Sequence, residues 1–92
     1  MILLEVVAAL DRFDEDQTVY VREPWLPNSL ATVQLEPEAG GLPDAAAEHG
    51  MQYFLEVSVA REVIEDWSKT QEAEPKLEAK TERLIQYAIN DA

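Results

Sequence analysis

Two runs dense in β-branched and aromatic residues flank a segment stiffened by two prolines, and this arrangement limits the folds open to the chain. Thr18-Val19-Tyr20-Val21-Arg22 and Ala31-Thr32-Val33-Gln34-Leu35 have strand composition, the second with Ala31, Val33 and Leu35 on one face. Between them lies Glu23-Pro24-Trp25-Leu26-Pro27-Asn28-Ser29-Leu30. Each proline fixes its φ and lacks a backbone donor, so the segment is a stiff connection rather than a strand. The two runs are expected to pair as a long-looped antiparallel hairpin. Met51-Gln52-Tyr53-Phe54-Leu55-Glu56-Val57 supplies a third strand, with Met51, Tyr53, Leu55 and Val57 on one side. The competing assignment is one long helix from about Phe54.

A sheet face must be buried against another layer. Leu3, Val6, Val7 and Leu10 have helical spacing over residues 2–11, ahead of the polar run from Asp11 to Asp16, where Phe13 can tuck back against the core. Negative charge there opposes the helix dipole, so an early end is expected. Ala60, Val63, Ile64 and Trp67 share a face of a second helix, with Arg61 and Glu65 as a solvent-facing pair. Leu77, Thr81, Leu84, Ile85 and Ala88 form the stripe of a last helix, which Pro75 can open. Asp44 can cap a short helix that Gly50 stops. The expected fold is α+β: a small three-stranded antiparallel sheet covered by an N-terminal helix and two C-terminal helices, in a single acidic domain over residues 1–92.

Charge and missing residue types narrow the function. Seven bases against nineteen acids leave −12 at pH 7, and 47% apolar residues argue for a folded chain despite it. The first fifty residues hold Arg12 and Arg22 against ten acids (2 − 10 = −8), the rest five bases against nine acids (5 − 9 = −4). Such a field disfavours nucleic acid and anionic membranes, whose recognition depends on Lys and Arg. With no cysteine, disulfides and thiolate-based metal sites are excluded, and a reducing cytoplasm is the expected compartment. The opening Met-Ile-Leu-Leu-Glu-Val-Val-Ala-Ala-Leu lacks a basic leader and is interrupted by Glu5, which fits a buried helix rather than a signal segment.

Motifs for chemistry are absent. A calcium loop starting at Asp11 needs Gly at its sixth position and Glu at its twelfth, but Asp16 and Arg22 stand there. His49 is the sole histidine, the serines sit in no nucleophile context, and Gly40-Gly41 is no phosphate loop. No metal, cofactor or catalytic residue is assigned, and the chain is expected not to be an enzyme.

What remains points to contact. A tryptophan held between prolines is pre-ordered, and aromatic anchors dominate hot spots. Trp25 and Leu26, rimmed by Asp16, Glu23 and Glu36, form the candidate protein-binding surface for a basic protein, unless Trp25 and Leu26 complete the core instead. Leu84, Ile85, Ala88 and Ile89 form a candidate dimer helix. The expected function is a non-enzymatic acidic binder of the inhibitor or immunity type. A nucleic-acid mimic is a narrower form that lacks a regular acidic helix face. The alternative is a structural or accessory subunit that homodimerises. The architecture resembles small bacterial proteins in a general way, a likeness that gives no residue a role.

Overall fold

The computed structural model describes residues 1–91. Helix α1 (Leu3–Ala8) tightens into a 3-10 turn (Leu10–Arg12), followed by β1 (Thr18–Arg22), β2 (Ala31–Gln34), α2 (Asp44–Glu48), β3 (Met51–Glu56), α3 (Val57–Ser68) and α4 (Leu77–Asp91). The sheet order is β2-β1-β3 with both pairings antiparallel, so the hairpin forms as expected and β3 joins β1 on its other side. The sheet with its N-terminal and two C-terminal helices is the expected α+β architecture. Residues 51–58 are both strand and helix, since β3 ends at Glu56 and α3 begins at once. Val57 N–H leaves the strand to donate to Gln17 O at 3.0 Å.

The main core lies between the sheet and the layer formed by α1, α3 and α4. Val19, Val21, Ala31, Phe54 and Leu55 meet Leu3, Val6, Leu10, Val57, Ala60, Leu84 and Ile85 there. Each fully buried large aliphatic or aromatic side chain contributes about 1.5–3 kcal/mol. Thr81 is also fully buried, and its hydroxyl donates to Leu77 O at 2.9 Å, which removes the cost of an orphaned polar group. The opposite sheet face is covered in part by α2, with Ala46, Tyr20 and Met51 buried together and Leu30 packed beside them.

A one-residue bulge sets which β3 side chains enter the main core. Val19 faces Leu55 across the pair while Tyr20 faces Tyr53, leaving Phe54 as an extra residue. Phe54 and Leu55 are therefore both buried in the main core, whereas Tyr53 turns to the outer face and is 44% exposed. Strict alternation, which puts Met51, Tyr53 and Leu55 on one side, fails at this point. Leu35 departs from expectation too. It follows the last residue of β2 and stays 59% exposed.

The proline segment closes the fold rather than projecting from it. Leu3 N–H donates to Ser29 O and Leu4 N–H to Pro27 O, both at 2.9 Å, satisfying donors that the first turn of α1 leaves open. Glu5 Oε1 accepts from Ile2 N–H at 2.8 Å and places a negative charge in that first turn. Gly50, at φ +67°, ends the α2 segment as expected, but Asp44 is the first helical residue and Pro43 occupies the N-cap. Pro75 likewise precedes α4 by two residues.

Arg61 does not face solvent beside Glu65. Its guanidinium reaches back to two carbonyls of the 3-10 turn and its C-cap, donating to Leu10 O at 3.0 Å and to Phe13 O. Glu65 pairs with Lys69 instead, at 3.5 Å.

Candidate functional site

The residues expected to form one binding surface lie at two ends of β1. Trp25 sits at the Arg22 end. Its ring packs edge-to-face on Phe54 with centroids 5.1 Å apart, and its indole N–H donates to Val21 O at 3.2 Å. Trp25 is thus half-buried and completes the core, which leaves Leu26, 50% exposed, as the open apolar residue of that loop. The loop is fixed by Ser29, whose hydroxyl accepts from Leu26 N–H at 2.9 Å and donates to Pro24 O at 2.6 Å. Only Glu23 of the expected acidic rim adjoins this loop.

Asp16 and Glu36 belong to the opposite end. Asp16 precedes β1 by two residues, and Glu36 lies two residues beyond Gln34, the partner of Thr18. Four strand steps separate Thr18 from Arg22, roughly 13 Å. Sequence adjacency to the hairpin loop on one side and to the strand on the other hid this separation.

A different cluster assembles at the Thr18 end, on the outer face of the sheet. Residues opposite one another across a ladder share a face. Thr18 stands opposite Gln34 and Glu56, and Tyr20 opposite Thr32 and Tyr53. Thr18 Oγ1 donates to Glu36 Oε1 at 3.2 Å, which holds that carboxylate over this face. Tyr20 and Tyr53 pack edge-to-face with centroids 6.4 Å apart. The Tyr20 side chain is 1% exposed, and its hydroxyl is buried with no hydrogen-bond partner among the described residues. An orphaned buried hydroxyl costs about 1–3 kcal/mol. Burial first, and the Glu36 carboxylate second, raise the Tyr20 pKa above the ordinary tyrosine value, against a smaller lowering by the neighbouring Thr18 hydroxyl. Burial, then Glu56 and Glu36, raise that of Tyr53. Both tyrosines are therefore neutral, hydrogen-bonding groups at physiological pH, set among carboxylates.

Sequence reasoning missed Tyr53 and Glu56. Alternation put Tyr53 on the same side as Leu55, and the signal that could have separated them was Phe54-Leu55, two adjacent large apolar residues that one pleated face cannot both take without a bulge.

No protein-family model, curated protein or solved structure matches the chain.

The remaining surface offers little chemistry. Among the described residues no three His, Asp or Glu side chains converge as a metal site. His49 is exposed, and its carbonyl accepts from Arg22 Nε at 2.8 Å. An open cleft of about 390 Å³ lies between α1, α3 and α4, where Arg61 and Lys80 border an apolar floor that includes Val7 and Ile64. Arg61 is held there by backbone carbonyls and Lys80 by Glu74, at 2.7 Å. A second open cleft, about 350 Å³, is bordered by Trp67, Arg83 and Tyr87.

The candidate dimer helix also changes character. Leu84, Ile85 and Ala88 are buried inside the chain's own core, against α1 and α3, and so are not surface residues. Only Ile89 of that set is open, at 63%. No helix among the described residues is long and apolar enough to cross a membrane.

Proposed function

We propose that the chain is a small, acidic, non-enzymatic binding protein whose partner is a basic protein that it neutralises, as inhibitors and immunity-type proteins do. One observation supports this most directly. Every acidic residue whose side chain is described lies exposed, and only Glu65 and Glu74 form ion pairs among them. The negative field is therefore left uncompensated by the chain's own cations. Such a field speeds encounter with a positively charged surface and rejects acidic competitors, while desolvated contacts supply most of the affinity. The same reading places the protein in the cytoplasm, where a chain without cysteine needs no oxidised staples.

Affinity capture with the tagged full chain from its native cytoplasm, at low and at high sodium chloride, tests this. A basic protein recovered in near-equimolar amount at low salt, and released at high salt, is expected. Recovery of the chain alone, as a homodimer, overturns the proposal in favour of an accessory subunit. Co-purification with nucleic acid, or turnover of a small molecule by the purified chain, overturns it as well.

A further inference from the structure

We infer that residues 42–49, with α2 at their centre, form a hinged strap that lifts off the outer face of the sheet as one unit. Arg22 latches it, and its lifting uncovers the side chains of Tyr20, Leu30 and Met51. This goes beyond the acidic-binder reading and does not rest on it.

Segments that open locally have few buried apolar contacts and few hydrogen bonds to the rest of the fold. Within 42–49 only Ala46 is buried, Pro43 is half-buried and the other six residues are exposed. A five-residue helix is too short to hold itself together, so α2 depends on what it packs against. That packing is centred on one methyl group, buried with Tyr20 and Met51. The strap's backbone bonds are local: Ala47 N–H donates to Pro43 O at 3.0 Å and Gly50 N–H to Ala47 O at 3.4 Å. Among the described residues, the hydrogen bond that ties the strap to the sheet is the one from Arg22 Nε to His49 O. Asp44 and Glu48 add negative charge to a chain of −12, so the overall field gives the strap no closing force. Both ends have pivots. Gly40 and Gly41 precede it at φ +82° and +81°, and Gly50 follows it at +67°. By contrast, β3 is held by its ladder to β1, and the main core contains no residue of the strap. Lifting therefore leaves the sheet and the helical layer intact. The strip it uncovers continues into Tyr53, which packs edge-to-face on Tyr20. Opening thus offers a partner an apolar contact that the closed molecule withholds.

The lack of cysteine makes the test direct, because one introduced thiol is the only one in the full chain. Ala46→Cys places it under the strap and Ala60→Cys in the main core. Iodoacetamide in native buffer is expected to label the Ala46→Cys variant about 100-fold faster than the Ala60→Cys variant. The Ala46→Cys rate should stay flat at low urea, since local opening exposes little surface, while the Ala60→Cys rate climbs with global unfolding. Adding Arg22→Gln to Ala46→Cys should speed labelling about fivefold, whereas Arg12→Gln should leave it unchanged. In the unmodified chain, the Ala47 amide should exchange quickly, with no dependence on low urea. The Arg22 amide, which donates to Leu30 O, should stay protected. An Ala46→Cys rate that climbs in parallel with global unfolding, or an Ala47 amide as protected as that of Arg22, overturns the strap. An unchanged rate on adding Arg22→Gln overturns the latch.

Discussion

Arg61 illustrates how a charged residue on a helix face can serve the fold instead of the solvent. Its guanidinium holds the carbonyls of Leu10 and Phe13, across a sequence separation that helical periodicity does not address. Charge-assisted hydrogen bonds of this kind contribute about 1.5–3 kcal/mol. Arg61→Ala is expected to lower the unfolding free energy by about 2 kcal/mol in a urea melt. Glu65→Ala, which breaks an exposed pair with Lys69, should change it by less than about 0.5 kcal/mol. Equal effects contradict the assignment. Tyr20 gives the opposite case: its hydroxyl is buried without a partner, so Tyr20→Phe should leave the free chain as stable or about 1 kcal/mol more stable. The sign of the pH effect follows from the raised tyrosine pKa values. Above about pH 10 the unfolded chain loses tyrosine protons that the folded chain retains, so stability falls as pH rises through the folded values and is flat with respect to these groups below that window. Urea melts across the alkaline range check this, and the fall should be shallower in Tyr20→Phe.

At the scale of elements, much of the fold was legible. The first two strand runs, the helical stripes of α1, α3 and α4, and the stop at Gly50 follow from periodicity and local conformational preference alone, whereas residues 51–58 were open between strand and helix until the structure divided them at Glu56. The candidate site was not, for two physical reasons. A bulge is one residue long, and it reverses the faces of every strand residue beyond it, so Tyr53 and Glu56 could not be placed from alternation. The proline loop, in turn, presented the same sequence whether Trp25 faced a partner or Phe54. The structure turns Trp25 inward and gives the loop the task of capping α1. Trp25→Ala is accordingly expected to lose about 2 kcal/mol or more of stability, as for truncation of a packed aromatic, whereas Leu26→Ala should stay within about 0.5 kcal/mol. Thermal or urea unfolding distinguishes them, and a stable Trp25→Ala variant with lost partner binding contradicts the structural role.

For the whole molecule, the distribution of charge matters more than its sum. The two halves carry unequal negative charge, and the topology gathers the Asp14-Glu15-Asp16 turn, Glu36 and Glu56 around the Thr18 end of the sheet. These carboxylates are exposed and outside the ion pairs, so they repel one another in the free protein and are relieved by a cation from outside. Composition revealed the excess, but only the fold shows where it gathers. The most direct check is the unfolding free energy of the free chain in urea at low and at high sodium chloride, a salt chosen because it acts mainly by screening. Uncompensated surface charge predicts a rise in stability with salt, on the order of 1 kcal/mol. An unchanged or lower stability at high salt means that the carboxylates are already neutralised within the chain, and contradicts a surface built to meet a basic partner.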